Sequence, residues 1–234
     1  MAALAKIQRK LESPVAAGAA IAATAALSYF AVRALQGLGS PGLPDGVVAP
    51  RASAVPFAKI RGRLAWPVLT NESRVGQVGY VDVLGDGHGN LSRRFGASRD
   101  GHRHAGVDLY ANNGDVVVAI SDGVVIDTQT FHLGSWAILV QHKGAVVLYG
   151  EVEKNSWIDF GVDIGSEVKR DQPIARVACM QGTASNCSSH MLHLETYTEG
   201  TTQNQRWTKQ TPPPALLDPT YMLLSAAPAE PNLP

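Results

Sequence analysis

Residues 137–149 read AILVQHKGAVVLY. Two apolar runs rich in β-formers, Ala137–Gln141 and Ala145–Tyr149, flank His142-Lys143-Gly144, a short segment with the glycine that a tight hairpin favours. Upstream, Val116–Ile120 (VVVAI) and Val124–Ile126 flank Ser121-Asp122-Gly123, a second turn signal. Downstream, Pro173–Val177 and Leu192–Tyr197 continue the series. No stretch of this region keeps amphipathic helical spacing over three turns. Short strands at regular spacing, in a chain with 23 Gly and 14 Pro, predict an all-β fold built as an antiparallel sheet or β-sandwich. Gly114 precedes the strand ending at Ile120, and Gly165 precedes Pro173-Ile174-Ala175, a weak internal echo of a glycine turn before a strand.

Four segments follow from the pattern. Residues 1–36 carry Lys6, Arg9 and Lys10, then the uncharged run VAAGAAIAATAALSYFAV from Val15 to Val32. As a helix that run rises about 27 Å, close to the hydrocarbon thickness of a bilayer. It reads as an N-terminal hydrophobic helix that anchors the chain in a membrane through residues 15–32, with a cleaved signal or an alanine-rich soluble helix as the alternatives. Residues 37–61 are a Pro/Gly-rich linker, 62–225 the β domain, and 226–234 a tail.

Charge narrows the function. Lys plus Arg and Asp plus Glu are 20 each, and charged residues are 17% of the chain. No basic excess or stripe is present, so nucleic acid is not an expected partner. Cys179 and Cys187, eight positions apart, either close one small loop in an oxidising compartment or stand as unrelated thiols.

Chemistry concentrates in three places: Arg103-His104-Ala105-Gly106-Val107-Asp108, Tyr149-Gly150-Glu151, and His190-Met191-Leu192-His193-Leu194-Glu195. Two imidazoles and one carboxylate form an open zinc set, with a fourth position left for water. His104 and Asp108 lie too far apart on a straight strand to share an ion, so a turn is expected at Gly106, which also leaves space for the ion. Alternation along a strand puts Met191 and Glu195 on the face of His193 and turns His190 away. His142 reads as structural, and His102, between Arg99 and Arg103, as part of a polar loop. His88 and His132 sit among turn residues, and Trp66, Trp136 and Trp157 read as core or groove wall.

Taken in order, Phe95-Gly96, His104-Ala105-Gly106-Val107-Asp108, Gly114, Val118-Ala119, Asp122-Gly123-Val124, Tyr149, His193-Leu194-Glu195 and Leu217-Asp218-Pro219 closely resemble the lysostaphin/LytM-type zinc endopeptidases over about residues 92–222. The resemblance implies an all-β domain with a metal-floored groove, zinc on His104, Asp108 and His193, and peptidoglycan peptides as substrate. It implies a cell-wall or periplasmic setting, with secretion or a phage origin as alternatives and any activating protein unspecified. Two positions depart from the family pattern. Met191 stands where the family has the first histidine of His-x-His, and Glu151 where it has the histidine after Tyr-x. Glutamate is a competent acid–base group, so Glu151 is the expected catalytic residue. The alternative is a non-catalytic zinc-containing module that binds wall peptide or a partner protein.

Overall fold

The computed structural model describes residues 55–71, 91–183, 185–208 and 211–226. The hydrophobic run Val15–Val32 and the last eight residues lie outside these, as does His88. Among the described residues no helix is long and apolar enough to cross a membrane.

Strands in chain order are β1 (Val68–Leu69), β2 (Ser98–Arg99), β3 (His102–Arg103), β4 (Val107–Leu109) and β5 (Val116–Val118). Then come β6 (Gly123–Thr130), β7 (Trp136–His142), β8 (Ala145–Val152), β9 (Glu167–Val168) and β10 (Pro173–Arg176). The last are β11 (Gln181–Thr183), β12 (Asn186–Ser189), β13 (Leu192–Tyr197) and β14 (Leu216–Leu217), followed by a short helix α1 (Thr220–Leu224). The fold is all-β, and the named strand pairs are antiparallel.

Among the described residues the main sheet has seven strands, in the order β14-β13-β8-β7-β6-β9, with β4 also paired to β13. All eight residues of β8 and all six of β13 are buried. Strands covered on both faces read as continuous apolar runs, which is why Ala145–Tyr149 lacks polar alternation. A second sheet, β1-β5-β10, shares the same core: Val117 and Ile174 belong to one cluster with Leu139, Leu148 and Leu194.

The His142-Lys143-Gly144 turn forms the expected hairpin, with His142 opposite Ala145. Gly144 has φ of 110°, backbone that favours glycine. The Ser121-Asp122-Gly123 segment behaves differently. β5 pairs with β1 and β10, and β6 with β7 and β9, so this turn carries the chain from one sheet to the other and closes no hairpin. Gly114 and Gly165 are both left-handed, at φ of 81° and 88°. The strands of that echo, β5 and β10, pair with each other in the second sheet, while β9, which follows Gly165 first, joins the main sheet.

His142 is structural, as expected. Its Nδ1–H donates to the Asp122 carbonyl (3.0 Å), so Nε2 accepts the Tyr149 hydroxyl (3.1 Å). That hydroxyl in turn accepts the Ile120 N–H at 2.9 Å. Burial pushes His142 down to about 4, so this chain of bonds stays neutral at physiological pH. Residues from the proline-rich segment also join the core. Val55 and Ala58 are buried, Ala58 N–H donates to the Asp218 carbonyl, and Asp218 N–H donates to the Pro56 carbonyl. Cys179 and Cys187 form a disulfide across the β11–β12 hairpin, with Cα atoms 5.7 Å apart.

Candidate metal centre

Strand β13 organises the site. One edge pairs with β8, placing His193 opposite Gly150. The other edge pairs at its first half with β4, placing His193 opposite Asp108. Directly opposed residues of an antiparallel pair point to the same face. His104 joins them because the chain bends at Ala105–Gly106, just before β4. Gly96, left-handed at φ of 71°, donates its N–H to the His104 carbonyl, and His104 N–H bonds back to Ala97. Phe95 packs on Trp207, ring centroids 5.6 Å apart, which anchors this loop.

The bend is where the sequence placed it, but glycine is needed there for a different reason. Gly106 has no positive φ. A Cβ on it would lie 2.4 Å from the Leu194 carbonyl oxygen and 2.8 Å from His193 Nε2. The missing side chain therefore makes room for β13, not for an ion.

His104 Nε2 lies 3.0 Å from Asp108 Oδ1, His193 Nδ1 lies 2.8 Å from the same oxygen, and the two nitrogens are 3.2 Å apart. These three ligand atoms form a small buried triangle. Ligands 2.0–2.1 Å from a tetrahedral zinc lie about 3.3 Å from one another. The triangle needs only slight expansion to fit. The outer atoms are held as well: His104 Nδ1 by the Arg94 carbonyl (2.9 Å), Asp108 Oδ2 by Arg99 Nη2 (2.5 Å), and His193 Nε2 by Glu195 Oε1 (3.0 Å). Such outer partners fix which atom of each ligand faces the metal. The residues fit zinc.

Charge follows the geometry. Burial raises the Asp108 carboxyl, and hydrogen bonds from His104 and His193 overturn that, leaving it well below its ordinary range. Burial lowers His104. Burial also pulls His193 down, but Asp108 and Glu195 outweigh it and hold it up at about 10. In the metal-free chain His193 is thus an imidazolium between two carboxylates.

Glu151 sits beside this cluster through a bulge. Trp136 pairs with Val152 and Ala137 with Gly150, leaving Glu151 as the extra residue of β8. Its φ is 62°, in the left-handed region. The bulge breaks strict alternation, and the carboxyl feels the charges of His193, Asp108, Arg99 and Arg93. Burial, assisted by Asp108, pushes Glu151 up to about 7. Its Oε2 is buried without a hydrogen-bond partner. Buried polar atoms are rarely left so, and an orphan beside a metal-ligand cluster marks a place where a ligand or water belongs. Phe131 supplies an apolar wall. Its ring centroid is 5.2 Å from that of His193, and it fills the space that a Cβ on Gly150 would take.

The other candidates fall away. His190 Nδ1 bonds the Ala111 carbonyl at 2.6 Å, and His190 is not among the clustered ligands, in keeping with strand alternation. His102 bonds the Asp100 carbonyl on the surface. Trp66 and Trp157 are buried in the core, and Trp136 packs against it. Arg99 is a correction: the polar-loop residue beside His102 reaches back to the buried Asp108 carboxylate. Sequence reading also missed Phe131, whose ring arrives from outside the three motifs and left no local signal.

Residues 102–205 match the model of Peptidase family M23. No curated protein matches the chain. Among solved structures, Helicobacter pylori Csd3 is 20% identical, over 76% of this chain and 36% of that one, with a TM-score of 0.43. Lysostaphin from Staphylococcus simulans is 23% identical, over 53% and 45%, with a TM-score of 0.39. CbpA from L. salivarius REN is 18% identical, over 69% and 95%, with a TM-score of 0.44. The chain thus spans less than half the length of the first two.

Proposed function

Residues 102–205 form a domain of peptidase family M23, and from that premise we propose that this chain is a zinc-dependent endopeptidase that hydrolyses peptide bonds of peptidoglycan. The observation that carries the reading is a convergent His104, Asp108 and His193 beside the unpartnered, buried carboxylate oxygen of Glu151. Zinc on the three ligands would polarise the scissile carbonyl and acidify a water toward neutral pH. Glu151 takes the proton of the attacking water and returns it to the leaving amine nitrogen. In the metal-free chain burial holds this carboxyl up at about 7, in the range where one group can both take and give a proton. Arg99 holds Asp108 Oδ2 and so fixes the carboxylate, and Phe131 covers one side of His193.

The setting belongs to the same proposal. A membrane anchor at residues 15–32, followed by the part of the Pro/Gly-rich linker that precedes the buried Val55, would hold the β domain facing the cell wall, in the periplasm or outside the cell. The Cys179–Cys187 disulfide supports an oxidising compartment. Met191 in place of a second histidine favours one other reading, a zinc-containing module that holds wall peptide without cutting it.

Amine release from purified peptidoglycan by the zinc-loaded protein, beside Glu151→Gln, separates the two. Release by the parent and none by the variant supports the hydrolase. No release by either, with one zinc per chain and retained peptidoglycan binding, supports the module.

A further inference from the structure

The outward edge of His193 is unusually well furnished. Strand alternation puts residues 193, 195 and 197 on one face of β13. His193 Nε2–H donates to Glu195 Oε1 at 3.0 Å, and Glu195 Oε2 accepts the Tyr197 hydroxyl at 2.5 Å. The Tyr197 oxygen then accepts the Gln205 backbone N–H at 2.8 Å. All three side chains are buried. Every polar atom of this run is matched: a donor to each carboxylate oxygen, and a donor and an acceptor at the phenol. A buried carboxylate is costly unless satisfied in this way, so the arrangement needs a reason beyond packing.

We propose that Glu195 and Tyr197 are positioning residues for the metal: they lock the His193 ring so that Nδ1 faces His104 and Asp108, and they tie that ring to the 198–208 segment through Gln205. The inference rests on the metal reading given above. Glu195 fixes the tautomer, because a carboxylate at Nε2 requires hydrogen there and leaves Nδ1 free to ligate. It also adds negative charge behind the imidazole, which strengthens that nitrogen as a donor. Tyr197 in turn holds the second carboxylate oxygen, so Glu195 cannot swing away from His193. Gln205 holds Tyr197 from a loop eight residues further along. The substrate-free affinity for metal therefore depends on a segment that supplies no ligand.

The test uses the full chain and its Glu195→Leu, Glu195→Gln and Tyr197→Phe variants. Zinc dissociation constants are measured by competition with a chromophoric chelator, and the absorption bands of the cobalt-substituted proteins report ligand geometry. Glu195→Leu should weaken zinc by roughly 10- to 100-fold, the usual cost of an outer partner. Glu195→Gln, which keeps an acceptor for Nε2–H, should recover part of the loss. Tyr197→Phe removes one hydroxyl and keeps the buried ring, so it stays folded; it should weaken zinc less and still shift the cobalt bands. Parental zinc affinity and parental cobalt bands in folded Glu195→Leu, or in Tyr197→Phe should the leucine variant not fold, would overturn the proposal. A parent chain that binds neither zinc nor cobalt would overturn the metal reading itself, and the inference with it.

Discussion

Asp108 and His193 stand directly opposite each other in the β4–β13 ladder, and their side chains meet at 2.8 Å, Oδ1 to Nδ1. Two residues 85 positions apart are brought together by strand register, so the site is as rigid as the sheet. Asp108→Asn keeps the shape and removes the charge. It also leaves Arg99 and the two imidazoles without their common counter-charge. Zinc affinity should fall further than the roughly 10- to 100-fold typical of losing an outer partner. Equilibrium dialysis of zinc against both proteins measures it, and parental uptake by Asp108→Asn would remove that residue from the ligand set.

Metal uptake should depend on pH through His193. Its proton must leave before Nδ1 can ligate, and the group is held up at about 10 in the metal-free chain. Below that value each unit of acidification should cost about tenfold in apparent zinc affinity. Stability moves the other way. A histidine raised from 6.5 to about 10 stabilises the metal-free fold fully below 6.5, and that contribution is lost as pH rises through about 10. The metal-free protein should therefore melt at lower temperature at pH 9.5 than at pH 7. With zinc bound the proton is already gone, and the difference should shrink. Calorimetry with and without chelator checks both.

Much of this was legible beforehand, and what was not has a physical cause. Leu192–Tyr197 is a strand with the bounds its apolar pattern predicts, and the Lys143-Gly144 turn is a hairpin. Apolar runs announce strands but not their partners, which is why VVVAI and Val124–Ile126 could be read as neighbours and yet lie in different sheets. His104, Asp108 and His193 do converge, while Arg99, from the short β2–β3 hairpin, and Phe131, from the segment after β6, reach them along paths that no local period encodes. Glu195 and Tyr197 did leave a signal: spacing of two from His193 on one strand puts all three on one face.

Gly106 gives a sharp steric prediction. Alanine there would press its Cβ against the Leu194 carbonyl and His193 Nε2, on backbone that cannot give way without breaking β4–β13 pairing. Overpacking of this kind costs roughly 1–3 kcal/mol. Because the clash falls on the ring that would hold zinc, Gly106→Ala should lose metal affinity as well as stability. An equally close substitution at Gly114, where a Cβ meets nothing within 4 Å, should leave metal affinity alone. Its left-handed backbone would still cost some stability. Parallel zinc titrations and denaturant melts distinguish the two.

Glu151 should show stability and activity pulling apart. Its left-handed backbone costs a residue other than glycine about 1 kcal/mol, and its carboxyl is buried with one oxygen unpaired. Both burdens disappear in Glu151→Gly, which should melt no lower than the parent and unfold at higher denaturant. The same change removes the proposed base, and hydrolysis should fall by about 10²- to 10⁴-fold, the usual worth of a positioned acid–base group. Glu151→Gln keeps the strain and should lose activity without the gain in stability. Zinc content should stay at one per chain in both, because Glu151 is not among the three clustered ligands. Urea melts and amine-release rates on the three proteins test the pair of effects together. A stabilised glycine variant that still hydrolyses at the parental rate would leave the bulge a purely structural device and send the search for the base elsewhere in the site.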